Sequence, residues 1–390
     1  MKILQIVSSF PPAYSYGGAL QVAYNISKEL VRLGHQVTVY STDVLDRDHR
    51  YNHIDYPEYL DGIRIYRFKN ISNRLASLYH ISCAPGIAYA LNRDSKNYDL
   101  LHCHEYRSFE AIMMHHYAKK YCIPYIVQAH GAVLPVFGKQ WLKKIFDAIW
   151  GNNILKDASK LIALTKTEAE QYQIRGVPEN KIVIIPNGID KLPHYEPDAK
   201  GMFKRLYDIP SNFQVILYLG RLHKSKGIDL LIESFAETKK TLQNVKLVII
   251  GPDDGFKDTL IHLIDRYQIK KDVLLLNFIS ENEKFSAFFD ADVFVTPRFS
   301  GFPITFLEAC ACGTPIITTT NGDDLGWIDN NVGFVVDYDK YQLHDKINEI
   351  LTNESLKKKF GDEGKKLIID RFNWVKIVSA IERTYEKISE

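Results

Sequence analysis

A chain of 390 residues with 46% hydrophobic and 25% charged content is too long for one ordinary core and reads as a globular protein of two or three domains. A formal net charge of +2 excludes a strongly basic nucleic-acid binder, although the first half is mildly basic and the second mildly acidic. Five cysteines, odd in number and mostly in apolar surroundings, read as reduced thiols of a cytoplasmic protein, and no apolar run approaches the ~18 residues needed to cross a bilayer.

The chain opens on a short apolar strand over residues 3–7, followed too soon by polar and turn-forming residues to be a secretion signal. From there short apolar runs alternate with longer amphipathic segments, the pattern of a parallel sheet covered by helices. Strands are expected at 36–40, 63–67, 100–102, 125–128, 161–164 and 182–185, with a helix over about 18–33 stopped by Gly34. The loop after the first strand ends in Gly17-Gly18, where paired glycines let backbone approach a ligand closely. His130-Gly131 follows the strand at 125–128, and Asn187-Gly188 closes the last strand of this half as a turn at a hinge. A polar, proline-containing stretch at 192–198 reads as a linker, and the rhythm then restarts with strands at 214–219, 246–250, 273–276, 293–296, 315–318 and 333–335. The expected architecture is α/β: two doubly wound domains facing each other across a cleft, with ligands beyond the carboxyl ends of the strands.

Four segments carry chemistry or invite it. Gly220-Arg221 and Lys226-Gly227 follow the first strand of the second half, where a guanidinium and an ammonium can grip a diphosphate. Ser300-Gly301-Phe302-Pro303-Ile304-Thr305 is a loop running into a helix that carries Glu308. Free backbone N–H groups there suit a phosphate, and an acid one turn in suits sugar hydroxyls. His102-Cys103-His104-Glu105, with His115-His116 downstream, invites a metal, but the spacing matches no structural zinc site and a strand end leading into a helix suffices. Finally, residues 134–158 place Trp141, Leu142, Ile145, Phe146, Ile149 and Trp150 at helical spacing among Lys139, Lys143, Lys144 and Lys156. Such a helix lies on a membrane surface or packs on its own domain; the sequence leaves both open.

In their order and spacing these motifs resemble glycosyltransferase family 4, retaining nucleotide-sugar enzymes with the GT-B fold of two Rossmann-like domains and a C-terminal crossover helix. The resemblance implies a first, acceptor-binding domain at 1–191, a nucleotide-sugar domain at 192–375 and a crossover helix at 376–390. It implies donor contacts from Gly17, Gly18, Arg221, Lys226, Ser300, Gly301, Phe302, Pro303, Ile304, Thr305 and Glu308. Among these, Arg221 and Lys226 stabilise the leaving diphosphate, Glu308 holds the ribose, and His130 meets the donor sugar. No metal and no cofactor beyond the donor are expected. The acceptor is expected to be a glycan or a lipid-linked glycan at the inner membrane face, with peripheral contact through 134–158 and no nucleic acid. One departure stands out: the family's usual glutamate, eight positions before the ribose acid, is Ser300 here. A serine supplies no negative charge, though it still hydrogen-bonds a hydroxyl. A sugar-nucleotide epimerase of similar fold and a catalytically silent binding module stay open as alternatives.

Overall fold

A computed structural model describes the chain except residues 15–17, 47, 53–56, 80–81, 135–139, 191–199, 300, 321–324 and 390, and the side chains of 77–79 and 389. Gly17, Ser300 and the expected linker therefore lie outside the described residues. The chain divides into two compact units, Met1–Gly188 with Trp374–Glu390, and Ile189–Asn373.

Among its described residues the first unit holds eight strands: β1 (Lys2–Ile6), β2 (Gln36–Thr42), β3 (Glu58–Leu60), β4 (Ile63–Phe68), β5 (Leu100–His104), β6 (Tyr125–Gln128), β7 (Lys160–Ala163) and β8 (Ile182–Ile184). Their order in the sheet is β3-β4-β2-β1-β5-β6-β7-β8, and every pairing is parallel except β3 with β4. The strand β3 was not expected from the apolar pattern, because it is an exposed edge without an apolar run. Its local signal is Asp61-Gly62, both at positive φ, the two-residue hairpin turn that suits the twist of flanking strands. The second unit holds β9 (Gln214–Leu219), β10 (Val245–Ile250), β11 (Val273–Leu276), β12 (Val293–Thr296), β13 (Ile316–Thr319) and β14 (Gly333–Val336), all parallel, in the order β11-β10-β9-β12-β13-β14.

In each sheet the strand order reverses beside the first strand, at β1/β5 in one unit and β9/β12 in the other. Ligands in such sheets bind outside the carboxyl ends of the strands at that switch. Central strands are buried on both faces, so they read as unbroken apolar runs. Leu4, Ile6, Leu101, Cys103, Val127 and Leu161 centre one core, and Ile216, Leu247, Ile249, Val293 and Val295 the other.

The helices used below are, in chain order, α1 (Gly18–Arg32), α2 (Phe109–Tyr121), α3 (Gln140–Phe146), α4 (Lys166–Ile174), α5 (Ile228–Thr241), α6 (Glu281–Asp290), α7 (Ile304–Cys312) and α8 (Trp374–Ser389). The helix expected over 134–158 is not one regular helix. After α3 comes a wide turn, Asp147–Gly151, before a short helix Asn152–Asp157. The turn swings Asp147 inward, where it accepts hydrogen bonds from Arg107 at 2.8 and 2.9 Å, from Tyr106 and from Arg175. Gly151 faces that carboxylate so closely that an added Cβ would lie 2.7 Å from its Oδ1. Trp141, Leu142, Ile145, Ile149 and Trp150 remain exposed, whereas Ile154 and Leu155 are buried.

Candidate active site

In the second unit the loop between β9 and α5 carries Arg221 and Lys226. Backbone bonds from Gly220 to Ile250 and from Leu222 to Pro252 hold it against the end of β10. Gly227, at φ +68, starts α5, and Tyr338 and Pro297 stand about 3 Å from where its Cβ would be. Arg221 is exposed and pairs with Asp254 at 2.7 Å, a surface ion pair of small net worth that an incoming anion can displace. Lys226 is half-buried. Among the described residues no carboxylate pairs with it, and burial together with the Arg221 charge lowers its pKa. Two cations held together without a full complement of carboxylates favour an anion between them.

Past the end of β12, Gly301 sits at φ +67 and Pro303 is the residue capping α7, its fixed φ suited to a helix start. The helix begins at Ile304, two residues earlier than the apolar pattern placed it. Among the described residues no side chain caps its first turn, which leaves the amides around Ile304 and Thr305 to another acceptor. Phe302 is buried against Trp327 and Phe372, with ring centroids 5.7 and 5.4 Å away, and this fixes the loop in front of the helix. Glu308 lies one turn in and is buried. Its Oε1 accepts from Lys284 on α6 at 2.7 Å, a partner that sequence spacing did not reveal.

In the first unit Gly18 is the first residue of α1 and is exposed. His130 follows β6 at φ +53, a conformation uncommon for a residue with a Cβ. What holds it there is Glu168 of α4, buried, which accepts from the Gly131 amide with one oxygen and from the Leu164 amide with the other, each at 2.6 Å. One carboxylate thus ties the ends of β6 and β7 together. His102 and His104, which invited a metal, face Tyr385 and Gln5 instead. At the β1/β5 switch itself stands Glu105, also at positive φ, whose carboxyl is pushed up to about 7 by burial and by the neighbouring Glu110. Glu110, buried on α2, accepts from Ser82 at 2.9 Å, and its own pKa is raised by burial. The sequence pattern offered Glu105 only as part of the run that invited a metal, although its place just after a strand at the switch point is a usable signal.

Residues 203–367 match the family described as glycosyl transferases group 1, and residues 16–191 match glycosyltransferase family 4. The chain belongs to the family 4 glycosyltransferases. It is 25% identical to an uncharacterized glycosyltransferase of Methanocaldococcus jannaschii, over 99% of this chain and 98% of that one. It is also 23% identical to the N-acetyl-alpha-D-glucosaminyl L-malate synthase of Bacillus anthracis, over 99% and 97% of the two chains. Among solved structures it resembles Anabaena HepE in complex with UDP and glucose, with a TM-score of 0.77 at 19% identity over 99% of this chain and 100% of that one. A sucrose-phosphate synthase from Thermosynechococcus elongatus follows with a TM-score of 0.76 at 20% identity, over 100% and 99%. The fold is GT-B, with two Rossmann-like domains in one chain.

Proposed function

We propose that this glycosyltransferase is a retaining, metal-independent hexosyltransferase that moves a sugar from a nucleotide-diphosphate sugar to a glycan or lipid-linked glycan. The observation that carries the donor assignment is Lys226, half-buried beside Arg221 and without a carboxylate partner among the described residues, at the β9/β12 switch that also holds the start of α7, which no described side chain caps. A diphosphate completes that arrangement. Arg221 and Lys226 neutralise the charge that develops on it as the bond to the sugar breaks, work that a metal does elsewhere. Glu308, already oriented by Lys284, accepts from the ribose hydroxyls. UDP in the Anabaena neighbour makes uridine nucleotides the first to test.

In same-face transfer the bond from the sugar's anomeric carbon to the β-phosphate oxygen breaks as the acceptor oxygen bonds to that carbon. The departing phosphate oxygen takes the acceptor's proton. This scheme needs no protein carboxylate at position 300, and Ser300 is assigned a hydrogen bond to a hydroxyl of the transferred sugar. The basic aromatic face on and after α3, with Trp141 and Trp150 exposed, supports peripheral contact with a membrane carrying the acceptor. No helix among the described residues is long and apolar enough to cross one.

The test is calorimetry with UDP and with GDP on the wild type and on Arg221→Ala and Lys226→Ala. Weakened binding in both folded variants is expected, and unchanged affinity overturns the clamp. Turnover with any nucleotide sugar excludes a silent binding module.

A further inference from the structure

Strand β5 presents His102 and His104 on the sheet face opposite Leu101 and Cys103, and β1 presents Gln5 in register with His102 on the same face. Helix α8 covers that face and buries Tyr385 against it. The polar groups form one chain. The Tyr385 hydroxyl lies 2.6 Å from His102 Nδ1 and accepts from Gln5 Nε2 at 3.4 Å. Gln5 Oε1 lies 2.7 Å from His104 Nε2, and His104 Nδ1 lies 3.0 Å from His130 Nε2.

The direction of this chain follows from what each group can do. A carbonyl oxygen only accepts, so His104 must carry its proton on Nε2. His104 is neutral, because burial and the neighbouring His102 and His130 hold its pKa well below the ordinary histidine value. It therefore has one proton, and its Nδ1 is an acceptor. His130 must then donate from Nε2. Burial pushes His130 down to about 3, so it too holds a single proton and its Nδ1 is bare. At the far end the Tyr385 hydroxyl, which accepts from Gln5, pairs with His102 Nδ1 in either direction, so the His130 assignment does not depend on His102. Turning the Gln5 amide over requires His104 and His130 to reverse with it and Tyr385 to donate to the carbonyl. Gln5, His104 and His130 switch together or not at all.

We infer that Gln5 and Tyr385 are positioning residues that fix His130 as the Nε2–H tautomer and so present its Nδ1 as an acceptor to a hydroxyl of the transferred sugar. The backbone, held by Glu168 through Gly131, sets where the imidazole stands; the chain from α8 sets which nitrogen accepts. The sugar contact rests on the proposed function, whereas the tautomer does not.

The experiment is long-range proton–nitrogen correlation spectroscopy on protein labelled with 15N at its 13 histidines, with His130 assigned by its loss in His130→Asn. A protonated Nε2 and bare Nδ1 on His130 are expected in the nucleotide-free wild type, and the reverse overturns the inference without any variant. Gln5→Met and Tyr385→Phe are expected to give mixed tautomers at His130 while the signals of His115 and His116, on α2, stay unchanged. The same variants should lower kcat in proportion to the fraction of His130 left in the wrong tautomer, about twofold for an even mixture, with KM unchanged. If Gln5→Met fails to fold, Tyr385→Phe decides. A single unaltered tautomer in both variants overturns the relay; mixed tautomers with unaltered kcat overturn its role in transfer. Nucleotide affinity of Arg221→Ala tests the donor site separately.

Discussion

Replacing Asp147 by alanine removes the carboxylate that two arginines share beneath the segment following α3. The Asp147 side chain is 2% exposed, and those of Arg107 and Arg175 are 13% and 16% exposed. Losing one member of a buried charge cluster costs roughly 3–5 kcal/mol, chiefly because the remaining charges stay buried unpaired. Both guanidiniums here keep some access to water, so the lower end applies, about 3 kcal/mol. For a unit of this size each kilocalorie shifts the melting point by about 2–4 °C, giving a fall of roughly 6–12 °C in the transition of the first unit. The damage also spreads toward the site, since Arg107 donates to the carbonyls of Ala132 and Val133, just after His130-Gly131. Thermal unfolding followed by tryptophan fluorescence reads the change, since Trp141, Trp150 and Trp374 lie in the first unit and only Trp327 in the second. A further variant makes the reasoning sharper: Asp147→Ala combined with Arg107→Met and Arg175→Met removes every charge and should recover part of the loss. A shift below about 2 °C in Asp147→Ala, or a triple variant worse than the single one, refutes the account.

Two other outcomes follow from the first unit. Glu105 has a folded pKa of about 7, above its value in the unfolded chain, so its protonated form favours folding. That contribution is complete at pH values below the ordinary glutamate range and is lost as pH rises toward 7. Relative to Glu105→Gln, the wild type should therefore lose stability between about pH 5 and 7.5 in urea titrations; parallel curves would contradict the assignment. On the other face, sedimentation with anionic vesicles should fall when Lys143 and Lys144 are changed to glutamine and fall further with Trp141→Ala. Absence of binding by the wild type favours a packing role for this segment instead.

How much of this was legible in the sequence depends on the range of the forces involved. Gln214–Leu219 and Val293–Thr296 read correctly to the residue because a strand buried on both faces must be apolar throughout. Exposed β3 has no such constraint, and only its Asp-Gly turn marks it. The wide turn at Asp147 was invisible to helical spacing, since its cause is a pair of arginines 40 residues before and 28 after. Site residues divide in the same way. Arg221, Lys226, His130 and Glu308 stand in local motifs, and the structure brings Arg221 close enough to Lys226 to perturb it. Their supports do not stand in motifs. Lys284 for Glu308, Glu168 for the loop after β6 and Gln5 for His104 are tertiary partners whose identity no short window encodes.

The chain leaves the first unit at Gly188 and returns to it only at Trp374. During synthesis at about 5–20 residues per second, the intervening unit takes roughly 10–40 s to emerge. Through that interval the first sheet must wait without α8, its Gln5 and His102 uncovered and the apolar face that Ile377, Val378 and Ile381 later bury open to water. The first unit thus cannot mature ahead of the second on the ribosome, although most of it is made earlier. Gln5 and Tyr385 are separated by 380 positions, so they meet only after the second unit has been made. A nascent or truncated protein lacking the last turns of α8 would carry every local motif and still lack the oriented His130.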